Sequence, residues 1–141
     1  MKAHIAKNQK AGTPLVLGWN LSGSARGIID GIAPAFGLKF EMVAPDMAGK
    51  TVAQLMGEQS SGGKALRLEY SAYPPTIVMA NFKDKDLDAF LDLLKTANAQ
   101  IPVKAVVTPN NRSWIFADLL AHLLEEKQAF EAQSAAEEAK E

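Results

Sequence analysis

The sequence predicts a small α/β domain that consists of two copies of one strand–helix–strand–helix unit. Apolar runs of strand length alternate along the chain with segments whose apolar residues recur at helical spacing. The same order of elements occurs in residues 14–58 and again in residues 76–131, with a linker over residues 59–75. We therefore expect a single domain over residues 1–131, followed by a frayed or disordered tail over residues 132–141.

The first unit begins with a continuous apolar run over residues 15–19, which is typical of a buried strand. Ser22 can begin a helix whose apolar residues start at Ile28. Residues 38–43 alternate apolar with charged side chains, which predicts a strand with one face in water. Thr51 can then cap a short second helix.

The second unit repeats this order. Residues 76–81 predict an apolar strand, and Asp84 or Asp86 can begin a helix with a clear apolar stripe. Residues 103–107 predict the last strand, and residues 114–124 predict a strongly apolar helix.

The two units can be aligned with little drift. Residues 15–17 match residues 77–79 at an offset of 62, and residues 42–45 match residues 106–109 at an offset of 64. This correspondence predicts an internal duplication.

The strand patterns also predict an order within the sheet. The first and third strands are apolar throughout, which indicates burial on both faces. The second and fourth strands carry Lys39, Glu41 and Lys104, which are typical of edges. We expect a doubly wound, flavodoxin-like sheet of order 2-1-3-4, with parallel inner strands and with the first and third helices on opposite faces. A ferredoxin-like α+β sandwich of order 4-1-3-2 is the alternative, because the long linker suits it.

Composition excludes several classes of function. The formal net charge is −1, with 15 basic and 16 acidic side chains and no basic cluster, so we expect no nucleic-acid partner. The chain has no cysteine, which excludes disulfides, thiolate nucleophiles and cysteine-bound metals. It has no long apolar stretch and no apolar run near the N-terminus, so we expect a cytoplasmic protein with no membrane partner.

A ligand pocket is predicted where the two inner strands end. In a parallel sheet the residues just past neighbouring strands converge, which would bring Trp19 and Asn20 close to Asn81 and Phe82. A planar or polar ligand would suit these groups. The alternative is that the aromatic residues cap the core and the asparagines make turn hydrogen bonds.

The loop before the first helix is a candidate anion site. Ser22, Ser24 and Arg26 supply hydroxyl groups and a guanidinium near a helix N-terminus, where backbone N–H groups are free. Ordinary helix capping is the competing interpretation.

Residues 108–114 form the most distinctive stretch, because they combine amides, hydroxyls, a cation and an indole. Arg112 lies near a helix N-terminus, where its positive charge interacts unfavourably with the helix dipole. Because it does not stabilise the helix, we expect it to serve a ligand or a partner. The competing interpretation is a surface arginine paired with Asp118 or Glu41. The candidate ligand-binding residues of this stretch are Asn110, Asn111, Arg112 and Trp114.

Residues 75–127 resemble a prokaryotic family catalogued as domain of unknown function 3783. The resemblance is carried by residues 77–79 leading into Phe82, and above all by residues 102–114. It implies a bacterial cytosolic protein. It implies no activity, substrate or catalytic residue.

Three functions are consistent with these patterns. The first is a non-catalytic binding or regulatory module for a small anionic or planar ligand. The second is a protein-interaction or homodimerisation module that uses an edge strand and the C-terminal helix. The third is a small hydrolase or transferase that uses Asp46 or Asp84 with Arg112. We assign no catalytic residue, cofactor or metal, since His4 and His122 offer too few ligands.

Overall fold

The computed structural model describes residues 13–139, so His4 and the last two residues lie outside it. Within this range the chain forms β1 (Leu15–Trp19), α1 (Gly23–Phe36), β2 (Lys39–Met42), α2 (Val52–Leu55), β3 (Thr76–Ala80), α3 (Asp84–Thr96), β4 (Val103–Val106) and α4 (Phe116–Ala139). The predicted tail falls at the end of α4, which is helical as far as Ala139.

The sheet has the order β2-β1-β3-β4, which confirms the predicted α/β class and strand order and excludes the order 4-1-3-2. The outer pairs β1–β2 and β3–β4 are parallel, as expected. The inner pair is antiparallel, with Leu15 opposite Ala80 and Trp19 opposite Thr76. The prediction of parallel inner strands is therefore wrong. A strand buried on both faces has the same apolar pattern in either direction, so the pattern could not specify the direction.

Both crossover helices lie on the same face of the sheet, contrary to the prediction that they lie on opposite faces. The antiparallel inner strands relate the two units by an approximate twofold rotation about the sheet normal, and such a rotation leaves α1 and α3 on one side. This side of the core contains Val16, Leu21, Ala25, Ile29, Leu38, Ile77, Met79, Phe90, Leu94 and Ile101.

The other face is covered by α2, the linker and the first part of α4. Its buried residues are Leu15, Leu17, Trp19, Val43, Val52, Leu55, Val78, Ala80, Phe116, Leu119 and Leu120. Each central strand therefore supplies alternate side chains to two separate apolar layers.

Equivalent hydrogen bonds recur in the two units. Lys39 N donates to Pro14 O at 3.0 Å, and Val103 N donates to Pro75 O at 3.3 Å. These bonds align the central strands at an offset of 61, not the predicted 62, and the outer strands at the predicted offset of 64.

The two units are also joined at the start of their second helices. Thr51 begins α2 as predicted, in a capping box with Gln54, and forms an isolated bridge with Ile115 just before α4. Two reciprocal bonds of 2.9 Å flank this bridge: Val52 N to Trp114 O, and Phe116 N to Lys50 O. Each unit thereby binds the segment that leads into the other unit's helix.

Among the helices within residues 13–139, none combines the length and the apolar character needed to cross a membrane.

Candidate functional site

Trp19 and Asn20 lie at the carboxyl end of β1. Trp19 is fully buried, and the centroid of its ring lies 5.0 Å from the centroid of the Tyr70 ring and 6.2 Å from that of the Phe116 ring. Its indole Nε1 has no hydrogen-bond partner in the described part of the chain. Asn20 Nδ2 donates to Tyr73 O at 3.4 Å. Trp19 is thus a core residue and Asn20 binds the backbone.

Asn81 and Phe82 lie at the carboxyl end of β3, which is the opposite end of the sheet. Asn81 Nδ2 donates to Thr13 O at 3.1 Å. Phe82 packs against Phe36 and Phe90 on the face that α1 and α3 cover. The pocket predicted between the central strands is therefore not formed, because the antiparallel pairing separates its two sides.

The predicted anion loop is a capped helix start. Ser22 is the N-cap of α1, and its Oγ accepts a hydrogen bond from Ala25 N at 3.1 Å. Ser24 and Arg26 are exposed on the first turn. Neither side chain makes a hydrogen bond or an ion pair with another described residue. The geometry supports the capping interpretation for Ser22.

Thr108 and Asn111 fix the turn that follows β4. Thr108 N donates to Asn111 Oδ1 at 2.9 Å, and Asn111 N donates to Thr108 Oγ1 at 3.1 Å. Asn111 Nδ2 also donates to Val106 O at 3.2 Å, so both polar atoms of its side chain bind the chain itself. Asn110 is exposed beside it.

Arg112 connects the two units. Its guanidinium pairs with Glu58, and its carbonyl oxygen accepts a hydrogen bond of 2.8 Å from Ala53 N. The partners that we expected, Asp118 and Glu41, do not take part. Arg112 therefore has a structural partner across the two units, although its side chain is still 40% exposed.

Trp114 has structural contacts, but its side chain is only half-buried. Its backbone joins the reciprocal bonds at α2, and one side of its ring packs on the core. The ring also meets the His122 ring edge to face, with the centroids 5.2 Å apart. His122 Nε2 lies 3.2 Å from Glu126 Oε2 on the next turn. The indole of Trp114, just before α4, is therefore in contact with the imidazole of His122 on α4.

An open groove of about 510 Å³ adjoins this aromatic pair. We call it the Trp114 groove, and its lining residues are Ser113, Trp114, Ile115, Asp118, Ala121, His122 and Glu125. A second groove lies between α4 and the edge of β4, and it shares Trp114 and His122 with the first. The aromatic pair therefore separates two concave surfaces.

The groove contains residues that the sequence interpretation missed or considered for other roles. The sequence interpretation considers His122 only as a metal ligand, and the described residues contain no group of three His, Asp or Glu side chains that could hold a metal ion together. The i, i+4 spacing of His122 and Glu126 was a usable signal for their pairing. Glu58 gave no signal, because it lies in a loop 54 positions away from Arg112.

Among the comparisons with known proteins, a family model matches one segment of the chain. Neither the curated proteins nor the solved structures gave a match. Residues 75–130, which hold β3, α3, β4 and the first part of α4, match the model of the family described as Domain of unknown function (DUF3783), and this confirms the predicted resemblance over that segment.

Proposed function

We propose that this protein is a protein-interaction module whose docking surface is the Trp114 groove together with the exposed part of α4. The observation that carries the proposal is the half-buried Trp114 ring, held against His122 at the border of two concave surfaces. Indole rings with an apolar body and a polar N–H are enriched at the centres of protein interfaces.

The apolar stripe of α4 supports the same surface. Phe116, Leu123 and Phe130 follow one another at seven-residue spacing, so they lie on one side of the helix. Phe116 is fully buried, Leu123 is half-buried, and Phe130 is 70% exposed. The stripe that packs on the sheet therefore continues into a part of the helix where its phenylalanine faces water.

The distribution of polar groups favours docking over a small-ligand pocket. Ser22, Asn111 and Arg112 already have partners within the chain. Asn20 and Asn81 each bind a backbone carbonyl at opposite ends of the sheet. A small anionic or planar ligand would need several such groups to converge, whereas a partner protein can use a broad and shallow surface.

A pair of matched variants tests this function. Ala121→Arg places a long side chain in the groove, and Ala89→Arg makes the same change on the exposed side of α3. Tagged protein is used to retain partners from a lysate of the native host, and light scattering reports self-association. We expect at least one partner, or the homodimer, to be lost with Ala121→Arg and kept with Ala89→Arg. Identical retention and mass for all three proteins would contradict the proposal.

We also propose that the two units arose by internal duplication. The equivalent hydrogen bonds at an offset of 61 and the reciprocal bonds around Thr51 and Ile115 support this. A bacterial source and a cytoplasmic location are further proposals, and they rest on the resemblance of residues 75–127.

A further inference from the structure

The Trp114 groove carries negative charge along its length. Asp118 and Glu125 are seven residues apart on α4, which places their carboxylates on one side of the helix, roughly 10 Å apart along its axis. Neither belongs to an ion pair within the described residues, and the lining contains no Lys or Arg. The remaining titratable side chain of the lining, His122, lies 3.2 Å from a carboxylate of its own, Glu126. The two unpaired carboxylates therefore give the groove a net negative charge, which attracts cations.

The groove also offers an apolar floor and an aromatic wall between these carboxylates. Ala121 lies three residues after Asp118 and four before Glu125, so a small side chain separates the two acids. The half-buried Trp114 ring forms the wall. Indole is the most favourable side chain for a cation–π contact.

We propose that the Trp114 groove receives a lysine or arginine side chain from an extended segment of the partner protein. The methylene stem of that side chain lies over Ala121 against the indole, and its cationic head lies between the two carboxylates. This inference rests on the proposed function and names the chemistry of the partner. A cationic occupant is not compatible with the anionic ligand that the sequence analysis expects at Trp114, because the carboxylates would repel an anion.

The test uses the full chain and two labelled octapeptides, one of alternating lysine and serine and one of alternating glutamate and serine. Binding is followed by fluorescence anisotropy. Asp118→Asn with Glu125→Gln removes two charges from the groove. Asp88→Asn with Asp92→Asn removes two charges from exposed positions on α3 and serves as the matched control. All four acids are exposed, so we expect both double variants to fold.

We expect the lysine peptide to bind the wild-type chain and the glutamate peptide not to bind. The groove variant should lose about tenfold in affinity, which requires both charge contacts in the upper part of the range for exposed ion pairs, and the control less than about twofold. Trp114→Leu should also weaken binding about fivefold, with partial rescue in Trp114→Phe, because phenylalanine retains a weaker π-face. Equal losses in the groove and control variants would show general charge attraction and overturn the proposal.

A competition experiment with free spermine distinguishes two sources of the cation, which are a side chain of a partner protein and a small free amine. If spermine displaces the lysine peptide at equal charge concentration, the groove is a site for small amines and the docking of a protein segment is overturned.

The partner assay with Ala121→Arg tests the proposed function independently of the peptide experiment. If that variant loses partners while the lysine peptide fails to bind, the cationic chemistry is wrong and the interaction module stands. If Ala121→Arg loses nothing, the proposed function itself fails.

Discussion

Asn20 and Asn81 occupy equivalent positions, each one residue beyond a central strand and each with a left-handed backbone, at φ 57° and φ 65°. Asn20 donates to the carbonyl of Tyr73, which precedes β3, and Asn81 donates to the carbonyl of Thr13, which precedes β1. Each asparagine therefore ties the end of one central strand to the segment that enters the other. The same asparagine-to-backbone hydrogen bond therefore joins the two inner strands at each end of the antiparallel pair.

Substitutions at Asn81 separate its backbone role from its hydrogen bond. Alanine in the left-handed region costs about 1–2 kcal/mol, whereas glycine adopts it without strain. We expect Asn81→Ala to lower the free energy of unfolding by about 1 kcal/mol more than Asn81→Gly, measured by urea denaturation. If the two variants unfold at the same urea concentration, the left-handed conformation does not constrain this position.

The position of each strand could be predicted from the sequence, but the direction of the inner strands could not. Lys39, Glu41 and Lys104 identified the edge strands, because charged side chains need water on one side. The uniformly apolar β1 and β3 contain no information on direction, and a linker of this length can return the chain to either end of a sheet. An alignment that matched Asn20 with Asn81 would have given the observed offset of 61.

Of the seven residues that line the Trp114 groove, only Trp114 is among the ligand-binding residues that the sequence predicts. Trp114 is among the predicted residues because its indole belongs to the distinctive stretch 108–114 at a helix start, and in the structure it lines the Trp114 groove. The prediction of Trp19 and Phe82 depends on parallel strands that would bring them together, whereas the antiparallel pairing places them in separate cores. Long-range partners such as Glu58 depend on how the two units pack, which no local pattern describes.

Asn111 and its neighbour Asn110 provide a second matched test. The Asn111 side chain makes two hydrogen bonds that fix the turn after β4, one from Thr108 N and one to Val106 O, whereas Asn110 is exposed. We expect Asn111→Ala to lower the free energy of unfolding by about 1–3 kcal/mol. Asn110→Ala should change it by less than about 0.5 kcal/mol. Thermal or chemical denaturation measures both, and an equal cost at the two positions would contradict a structural role specific to Asn111.

Gly49 is required where the linker crosses the first unit. Its carbonyl oxygen accepts a hydrogen bond of 2.8 Å from Lys64 N, and a Cβ at this position would overlap the Lys64 carbonyl oxygen. We expect Gly49→Ala to cost about 1–3 kcal/mol, because the backbone has to move. Gly27→Ala, at an open position in α1, should instead stabilise the protein by up to about 1 kcal/mol. Unfolding curves that order these variants the other way would exclude the close backbone contact.

The ion pair between Arg112 and Glu58 should contribute little to stability despite its position between the units. Both side chains are about two-fifths exposed, and pairs of this kind contribute about 0.2–1 kcal/mol. A double-mutant cycle with Arg112→Gln and Glu58→Gln, measured by urea denaturation at low and high salt, gives the coupling energy. A coupling well above 1 kcal/mol, or one that salt does not reduce, would mean that the pair is far less hydrated than its exposure indicates.

Phe116 and Phe130 lie on the same side of α4 but should differ in both stability and function. Phe116 is fully buried, so Phe116→Ala should cost about 3–5 kcal/mol. Phe130 is 70% exposed, so Phe130→Ala should change the free energy of unfolding by less than about 0.5 kcal/mol. If α4 belongs to the docking surface, Phe130→Ala should nevertheless weaken retention of the partner that Ala121→Arg also loses. A variant that keeps both stability and partner binding would show that Phe130 is an isolated surface residue, and the docking surface would then end within the Trp114 groove.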